Sequence, residues 1–321
     1  MGGCGESALY PPVDPNAEPS REKGAMIPTV SRERQNEIFG YFLISPVILY
    51  LAVFMLLPFI WATWTSLTDK AIGGNAAFIG LKNFKDLLAD EVFRRAVANT
   101  VAYTVSAVAG KVLFGLVMAL VLNSPIPGRD LMRVLLFIPW TIPTLVSALT
   151  WKWMYSDVGG LFNFVLMRLG VVHQQVPWLY DKDLAMVSII VANIWRGTPF
   201  IGISILAGLQ SIPADYYEAA KIDGANRFKS FTAITVPHIK EVIVLSSLIT
   251  TIWTFNDFEI VWLLTGGGPA NATQILSTYG YTVGFMNLNL SKAIASSIIA
   301  MPFLILLISI VTRRFKPVEI D

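Results

Sequence analysis

Six stretches of this chain run for twenty residues or more on Leu, Ile, Val, Phe, Ala and Trp, at about 40–66, 97–123, 132–156, 185–209, 241–264 and 292–312. About 20 such residues span a ~30 Å hydrocarbon core, and a helix is the single-segment structure that satisfies its own backbone there. The runs therefore predict an all-α polytopic membrane protein with six transmembrane helices. A length of 321 residues would accommodate two soluble domains, but the chain is 54% apolar and 14% charged, with a mean hydropathy of +0.59. A soluble domain carries roughly 25% charge. Prolines inside the runs (Pro46, Pro58, Pro139, Pro143, Pro199 and Pro302) imply kinks, because neighbouring helices can satisfy the freed carbonyls.

The same composition removes whole classes of function. Net charge of +2 is too small and dispersed for a nucleic-acid partner. Cys4 stands alone, which excludes an internal disulfide, and His173 and His238 have no cysteine nearby, which leaves no metal site. Orientation follows from the loop cations: with both termini inside, thirteen Lys and Arg fall on the cytoplasmic side and seven in the outer loops. In the first outer loop, Phe84, Leu87, Leu88 and Val92 share one helical face, so 81–95 is expected as an amphipathic helix on the outer surface. Residues 1–36, rich in Pro, Glu, Gly and Ser, are expected to form a disordered cytoplasmic tail. Gly3-Cys4 lacks the preceding apolar segment of a lipoprotein leader, and Met26 is an alternative start to Met1.

The segment 211–240 is the long polar exception, on the cytoplasmic side. Pro213 suits a first helical turn, Asp215 and Glu218 follow where the helix dipole favours anions, and Gly224 is placed to end the helix. Asn226 then caps a second helix, in which Phe228, Phe231 and Ile234 recur at helical spacing until Pro237 stops it. The expectation is a helix–turn–helix knob whose small residues Ala219, Ala220, Gly224 and Ala225 let another backbone approach.

Glu218-Ala219-Ala220, then Asp223-Gly224-Ala225, Phe231, Ile234 and Pro237 resemble the EAA loop of binding-protein-dependent ABC importer permeases. In that family the loop is the coupling helix that docks into a groove on the cytoplasmic ATPase. One departure is Glu241, where the pattern often carries a second proline. Phe255 through Pro269, with Thr273, Leu276, Tyr279 and Tyr281, resembles the fifth span and outer loop of the carbohydrate-uptake type, as does Gly80-Leu81-Lys82-Asn83-Phe84 leading to Asn99-Thr100. The resemblance implies a permease domain over 37–321 in the cell membrane of a bacterium or archaeon. Its implied partners are a second permease subunit (a paralogue in preference to a second copy), two ATPase subunits, and an extracytoplasmic binding protein delivering a sugar or polyol. ATP and Mg would be used by the ATPase, with no cofactor on this chain. Gly266-Gly267-Gly268-Pro269 lacks the Lys-Ser/Thr of a phosphate loop and reads as a turn into the outer vestibule.

Charges at membrane depth cost about 2.5–3.5 kcal/mol each on insertion scales, so each needs a reason. Lys152 is near a span end and is expected to snorkel, whereas Lys111 falls mid-span with its role open. Arg196 in the fourth span and Asp257 or Glu259 in the fifth are at depths an arginine can bridge, and two readings stand together. One is a structural ion pair locking the helices. The other is a solute path through Asn193, Arg196, Trp253, Asn256 and Asp257, where polar groups meet sugar hydroxyls and indoles meet sugar faces. Trp151 and Trp195 are left as interfacial or packing aromatics. An ion-gradient-driven secondary transporter would use Arg196 and Asp257 but leaves the inner knob without a purpose and shows no inverted three-span repeat. A membrane enzyme finds no nucleophile–base pair or dyad.

Overall fold

A computed structural model of the protein describes residues 32–313. Most of the expected tail lies outside the described residues. Its last five positions belong to α1 (Arg32–Leu51), where Arg, Glu and Gln, although polar, are good helix formers. The chain divides into two units at Pro58. The first is α1, a π-helical turn over Ala52–Leu56 and the start of α2 (Leu57–Ser66), with apolar side chains such as Phe42, Leu49 and Phe54 exposed.

The second unit continues through α3 (Lys82–Ala89), α4 (Glu91–Asn123), α5 (Arg129–Thr141), α6 (Thr144–Met154), α7 (Leu161–Arg168), α8 (Leu184–Gln210), α9 (Ala214–Ile222) and α10 (Arg227–Ser230). A π turn over Phe231–Thr235 leads into α11 (Val236–Phe255), followed by α12 (Glu259–Thr265), α13 (Leu276–Tyr281), a third π turn over Thr282–Met286 and α14 (Leu290–Arg313). Among the described residues, five helices are long and apolar enough to cross a membrane, or six if the bent pair α5–α6 is one span.

Four expectations change, each for a local reason. The third span is broken by 94° between Thr141 and Thr144, at Ile142-Pro143, where the proline carries extended backbone. The fifth span ends at Phe255, not at 264, and begins far earlier, because 227–255 is one continuous helix. Its end is made by side chains that compete for backbone groups: Asn256 Nδ2 donates to the Ile252 carbonyl at 2.9 Å. Pro237 does not stop the second helix of the knob. A proline lacks a donor and crowds the carbonyl four residues back; the π turn Phe231–Thr235 widens the helix there, as Ala52–Leu56 does ahead of Pro58. The helix expected over 81–95 is also two: α3 stops at Ala89 and Asp90 caps α4, while buried Leu87 packs toward α14.

Close packing of α4, α8 and α11 makes the centre of the unit. α4 and α8 form the most extensive helix pair, and glycines let them approach. A Cβ on Gly115 would lie 2.8 Å from Ile201 Cγ2, and one on Gly202 2.8 Å from Met118 Sδ. Below them Met118, Leu122, Ile205, Leu209 and Ile239 form one buried cluster. Asparagines tie loops to this frame. Asn83 donates to the carbonyls of Ser66 and Thr68 at 2.8 and 2.7 Å, and Asn99 to those of Ala272 and Gln274, both at 2.9 Å. Thr100 accepts from the Leu276 amide at 2.8 Å, so the Asn99-Thr100 pair of the sequence holds the loop after α12 against α4. Gly266 ends α12 in the left-handed conformation, φ +63°.

Asp90 joins three elements. Its Oδ1 accepts from the amides of Val92 and Phe93, and its Oδ2 from Tyr279 Oη at 2.9 Å and Lys292 Nζ at 3.2 Å. Burial pushes the carboxyl up, but the bonds from Tyr279, Lys292 and the Phe93 amide outweigh it and hold it below the usual carboxylate value. The same burial, with the nearby carboxylate, raises the Tyr279 phenol. Because the folded value is depressed, the stabilisation is present at neutral pH and is lost as pH falls below the ordinary aspartate range through the folded value. Thermal unfolding in detergent should therefore show an acid-side loss of stability that is weaker in Asp90→Asn, which keeps the cap but cannot titrate. Identical acid profiles would show that Asp90 contributes none of it.

Candidate functional site

The residues singled out within the membrane converge on one cavity of about 350 Å³ in the second unit. It lies where α11 breaks, between α4, α8 and the α5–α6 bend. Asn193, Arg196, Trp253, Asn256 and Asp257 all line it, so the five positions named from sequence share one space. Lys111, Trp140, Thr144, Thr250, Thr254 and Glu259 line it as well.

Asp257 is held by neutral donors. Its Oδ2 accepts from Tyr103 Oη at 2.7 Å and from Asn193 Nδ2 at 2.8 Å, one from α4 and one from α8. Its Oδ1 faces the Ile260 amide at 3.4 Å, in the first turn of α12. The carboxylate thus fixes which way the Asn193 amide points, because only the NH₂ can donate to it. Arg196 does not pair with Asp257 or Glu259. Its Nη2 donates to Thr144 Oγ1 at 2.6 Å, and its guanidinium stands 6.0 Å from the Trp140 ring centroid. The reason is the helix break. With α11 ending at Phe255, Asp257 lies in the connector and turns toward α4 and α8, while the bend at Pro143 brings Thr144 to Arg196. Lys111 reaches across from α4 and donates to Thr254 Oγ1 at 2.9 Å.

An aromatic wall completes the cavity. Trp140 lies 5.1 Å from Phe200 and 5.4 Å from Trp253, centroid to centroid. Trp151, by contrast, is buried against Tyr155, Phe162 and Trp195 and is a packing residue. Lys152 is exposed, and its Nζ donates to the Leu263 carbonyl at 2.9 Å. Sequence reasoning missed Tyr103, Trp140 and Thr144. Tyr103 carried a usable signal: it is eight residues, about two helical turns, before Lys111 on the same face of an otherwise apolar span.

The second candidate region is the hairpin. α9 starts after Pro213, Gly224 takes φ +74°, and Asn226 Oδ1 accepts from the Lys229 amide at 2.8 Å. Tyr217 Oη and Thr235 Oγ1, 2.9 Å apart, tie the two arms at their base. Glu218, Ala219, Asp223 and Gly224 are exposed, Ala220 and Ala225 half-buried, and Phe231 turns inward. Ile222 and Phe228 are 87% and 75% exposed, an unusual position for large apolar side chains on a polar turn.

Residues 111–317 match the family described as binding-protein-dependent transport system inner membrane component. The chain belongs to this family. It is similar to the trehalose/maltose transport system permease protein MalF of Thermococcus litoralis, 36% identical over 281 residues, covering 86% of this chain and 94% of that protein. It is similar also to the sn-glycerol-3-phosphate transport system permease protein UgpA of Agrobacterium fabrum, 30% identical over 286 residues, 88% and 96% covered. Among solved structures, a subunit of a bacterial ABC transporter that imports the acidic polysaccharide alginate superposes with a TM-score of 0.75. That match covers 88% of this chain and 96% of the other at 23% identity, which speaks for the fold. The protein is thus a multi-pass permease subunit of a binding-protein-dependent ABC importer of the inner membrane, and not itself the ATPase. The ion-gradient alternative is set aside.

The Arg196–Thr144 bond makes a specific claim about coupling. In a double-mutant cycle on thermal stability, Arg196→Ala should couple to Thr144→Val and add independently with Asp257→Ala. A hydrogen bond to a charged group contributes about 1.5–3 kcal/mol. Coupling to Asp257 in place of Thr144 would overturn the assignment.

Proposed function

We propose that this chain carries a sugar or related polyol across the membrane through the cavity at the α11 break, with both termini on the cytoplasmic side. The observation that carries the reading is the composition of that wall: Asn193, Arg196, Asn256 and Asp257 beside the indoles of Trp253 and Trp140. Amide and charged groups hydrogen-bond hydroxyls, and aromatic faces cover the apolar C–H faces of a sugar ring. The similarity to a trehalose/maltose transport system permease points the same way.

The permease domain is assigned to 37–321, with 211–240 as its ATPase-coupling loop. Glu218, Ala219, Ala220, Asp223, Gly224, Ala225, Phe231 and Pro237 are assigned to that loop on the resemblance of the motif, and the exposed Ile222 and Phe228 supply an apolar face for a partner groove. Two ATPase subunits would bind and hydrolyse ATP with Mg there. A second, paralogous permease subunit would complete the pore, and an extracytoplasmic binding protein would deliver the solute. The test is uptake into proteoliposomes holding the full complex. Solute should accumulate only with internal ATP, and omission of the ATPase should abolish it. Uptake that persists without the ATPase but follows an ion gradient would reverse the reading.

The loop assignment gives a sharper expectation. Beyond its chain neighbours, no atom lies within 4 Å of where a Gly224 Cβ would stand, so a side chain added there starts into open space. The positive φ costs a non-glycine residue about 1–2 kcal/mol, and Asn bears it best. Gly224→Trp should insert and fold yet lose co-purification with the ATPase, whereas Gly224→Asn should retain it. Normal transport by the Trp variant would remove Gly224 from the contact.

A further inference from the structure

The relatives named above take neutral sugars in one case and an anionic glycerol phosphate in another, so family membership leaves the charge of the solute open. The cavity bears on that choice. We infer that it is built for an uncharged polyhydroxyl solute, and that Lys111 is the residue that makes it so, by cancelling the charge of Asp257. This rests on the permease reading above.

Lys111 is a deliberate feature of the packing. It is 4% exposed and is the one charged residue of α4 beyond Arg95. The neighbouring helix is hollowed to receive it: a Cβ on Gly197 would lie 2.5 Å from Lys111 Cε and 3.0 Å from its Nζ. Among the described residues it has no carboxylate in ion-pair contact, and its Nζ donates to the Thr254 hydroxyl. Thr254 is three residues before Asp257, whose own partners are neutral. The two charges therefore stand on one cavity wall without touching. The full set of charged lining residues is Lys111 and Arg196 against Asp257 and Glu259, which sums to zero. A solute carrying a net charge would therefore find no excess of the opposite sign in this lining.

The hydrogen-bonding inventory agrees. Asn193 Oδ1, Thr250 Oγ1 and Arg196 Nε are buried without a protein partner, and all three residues line the cavity. Buried polar atoms are nearly always satisfied, so a small shift that opened these three to the cavity would let water or a solute supply the missing bonds. One is an acceptor alone, one a hydroxyl and one a donor. A fully ionised phosphate, a sulfonate or a carboxylate has no hydrogen to give Asn193 Oδ1, whereas a sugar hydroxyl donates and accepts at the same oxygen. Trp140 and Trp253 add the apolar face such a ring needs.

The test uses the assembled permease–ATPase complex. Saturation-transfer NMR, without the binding protein, would probe maltose, trehalose, sn-glycerol 3-phosphate and an alginate oligomer. Transfer to a neutral sugar and none to the acidic probes is expected; transfer to an acidic probe in preference, or to no neutral probe, overturns the inference. The role of Lys111 is read separately in Lys111→Gln, Asp257→Asn and the double variant. Each single change should lower the melting temperature of the complex and reduce neutral-sugar uptake about tenfold, because it leaves one buried charge uncompensated. The double variant should regain most of the lost melting temperature, because no buried charge is then left uncompensated. Additive losses in melting temperature would show that the two charges do not compensate. Absence of ATP-driven uptake in the unaltered complex would instead strike the importer reading, and the melting-temperature cycle would still decide the pairing of charges.

Discussion

The approach of α4 to α8 is the contact on which the rest of the second unit depends. Between helices in lipid there is no hydrophobic driving force, so association comes from close van der Waals packing and interhelical polar bonds. Gly115 meets Ile201, and Gly202 meets Met118, at separations that leave no room for a methyl group. That closeness is what lets Tyr103 and Asn193, from opposite helices, reach one carboxylate oxygen of Asp257. Widen the pair and the carboxylate would lose a donor and remain buried, which is far more costly than an unmade bond at a surface.

Given that frame, the helix breaks are placed where backbone groups are needed by something else. α5 and α6 turn by 94° at Pro143, and Thr144 at the start of α6 accepts from Arg196. α11 stops at Phe255, and the connector presents Asp257 inward while Ser277 Oγ donates to the Asp257 carbonyl at 2.7 Å. Irregular backbone at membrane depth is tolerated where protein or a polar cavity satisfies it, and here both breaks border the same cavity. The breaks create the site and are not defects of two spans.

This is also why sequence reached some of the architecture and missed the rest. Hydropathy located every span because the signal is summed over some twenty residues. It could not see the stop at Asn256, because Val261, Trp262 and Leu263 continue the apolar run beyond it. The depth argument that set Arg196 opposite Asp257 assumed a continuous helix to 264, and the assumption failed at one side-chain bond from Asn256. Asn193 and Trp253 were legible as polar or indole groups in apolar surroundings. Thr144 was not, since a threonine in a span normally bonds its own helix and carries no depth penalty to flag it. The knob was legible because each of its punctuating residues, Pro213, Gly224 and Asn226, acts through local chemistry. Pro237 was misread for the converse reason: a proline signals lost helix geometry, but whether the chain stops or bulges depends on what packs around it.

The continuity of 227–255 then matters for how the two candidate regions relate. One helix, widened once at Phe231–Thr235, runs from the capped turn of the hairpin to the break beside the cavity. Its 29 residues at ~1.5 Å per residue make a rod of about 43 Å. A hairpin bearing on a partner would therefore have this helix attached at Asn226, and the helix ends at Phe255, one residue past Thr254, which holds Lys111. Had Pro237 broken the helix, the hairpin would move on a hinge and the cavity would be indifferent to it. The π turn keeps the helix continuous through the proline, so the hairpin and the cavity are joined by one unbroken helix and not by a loop.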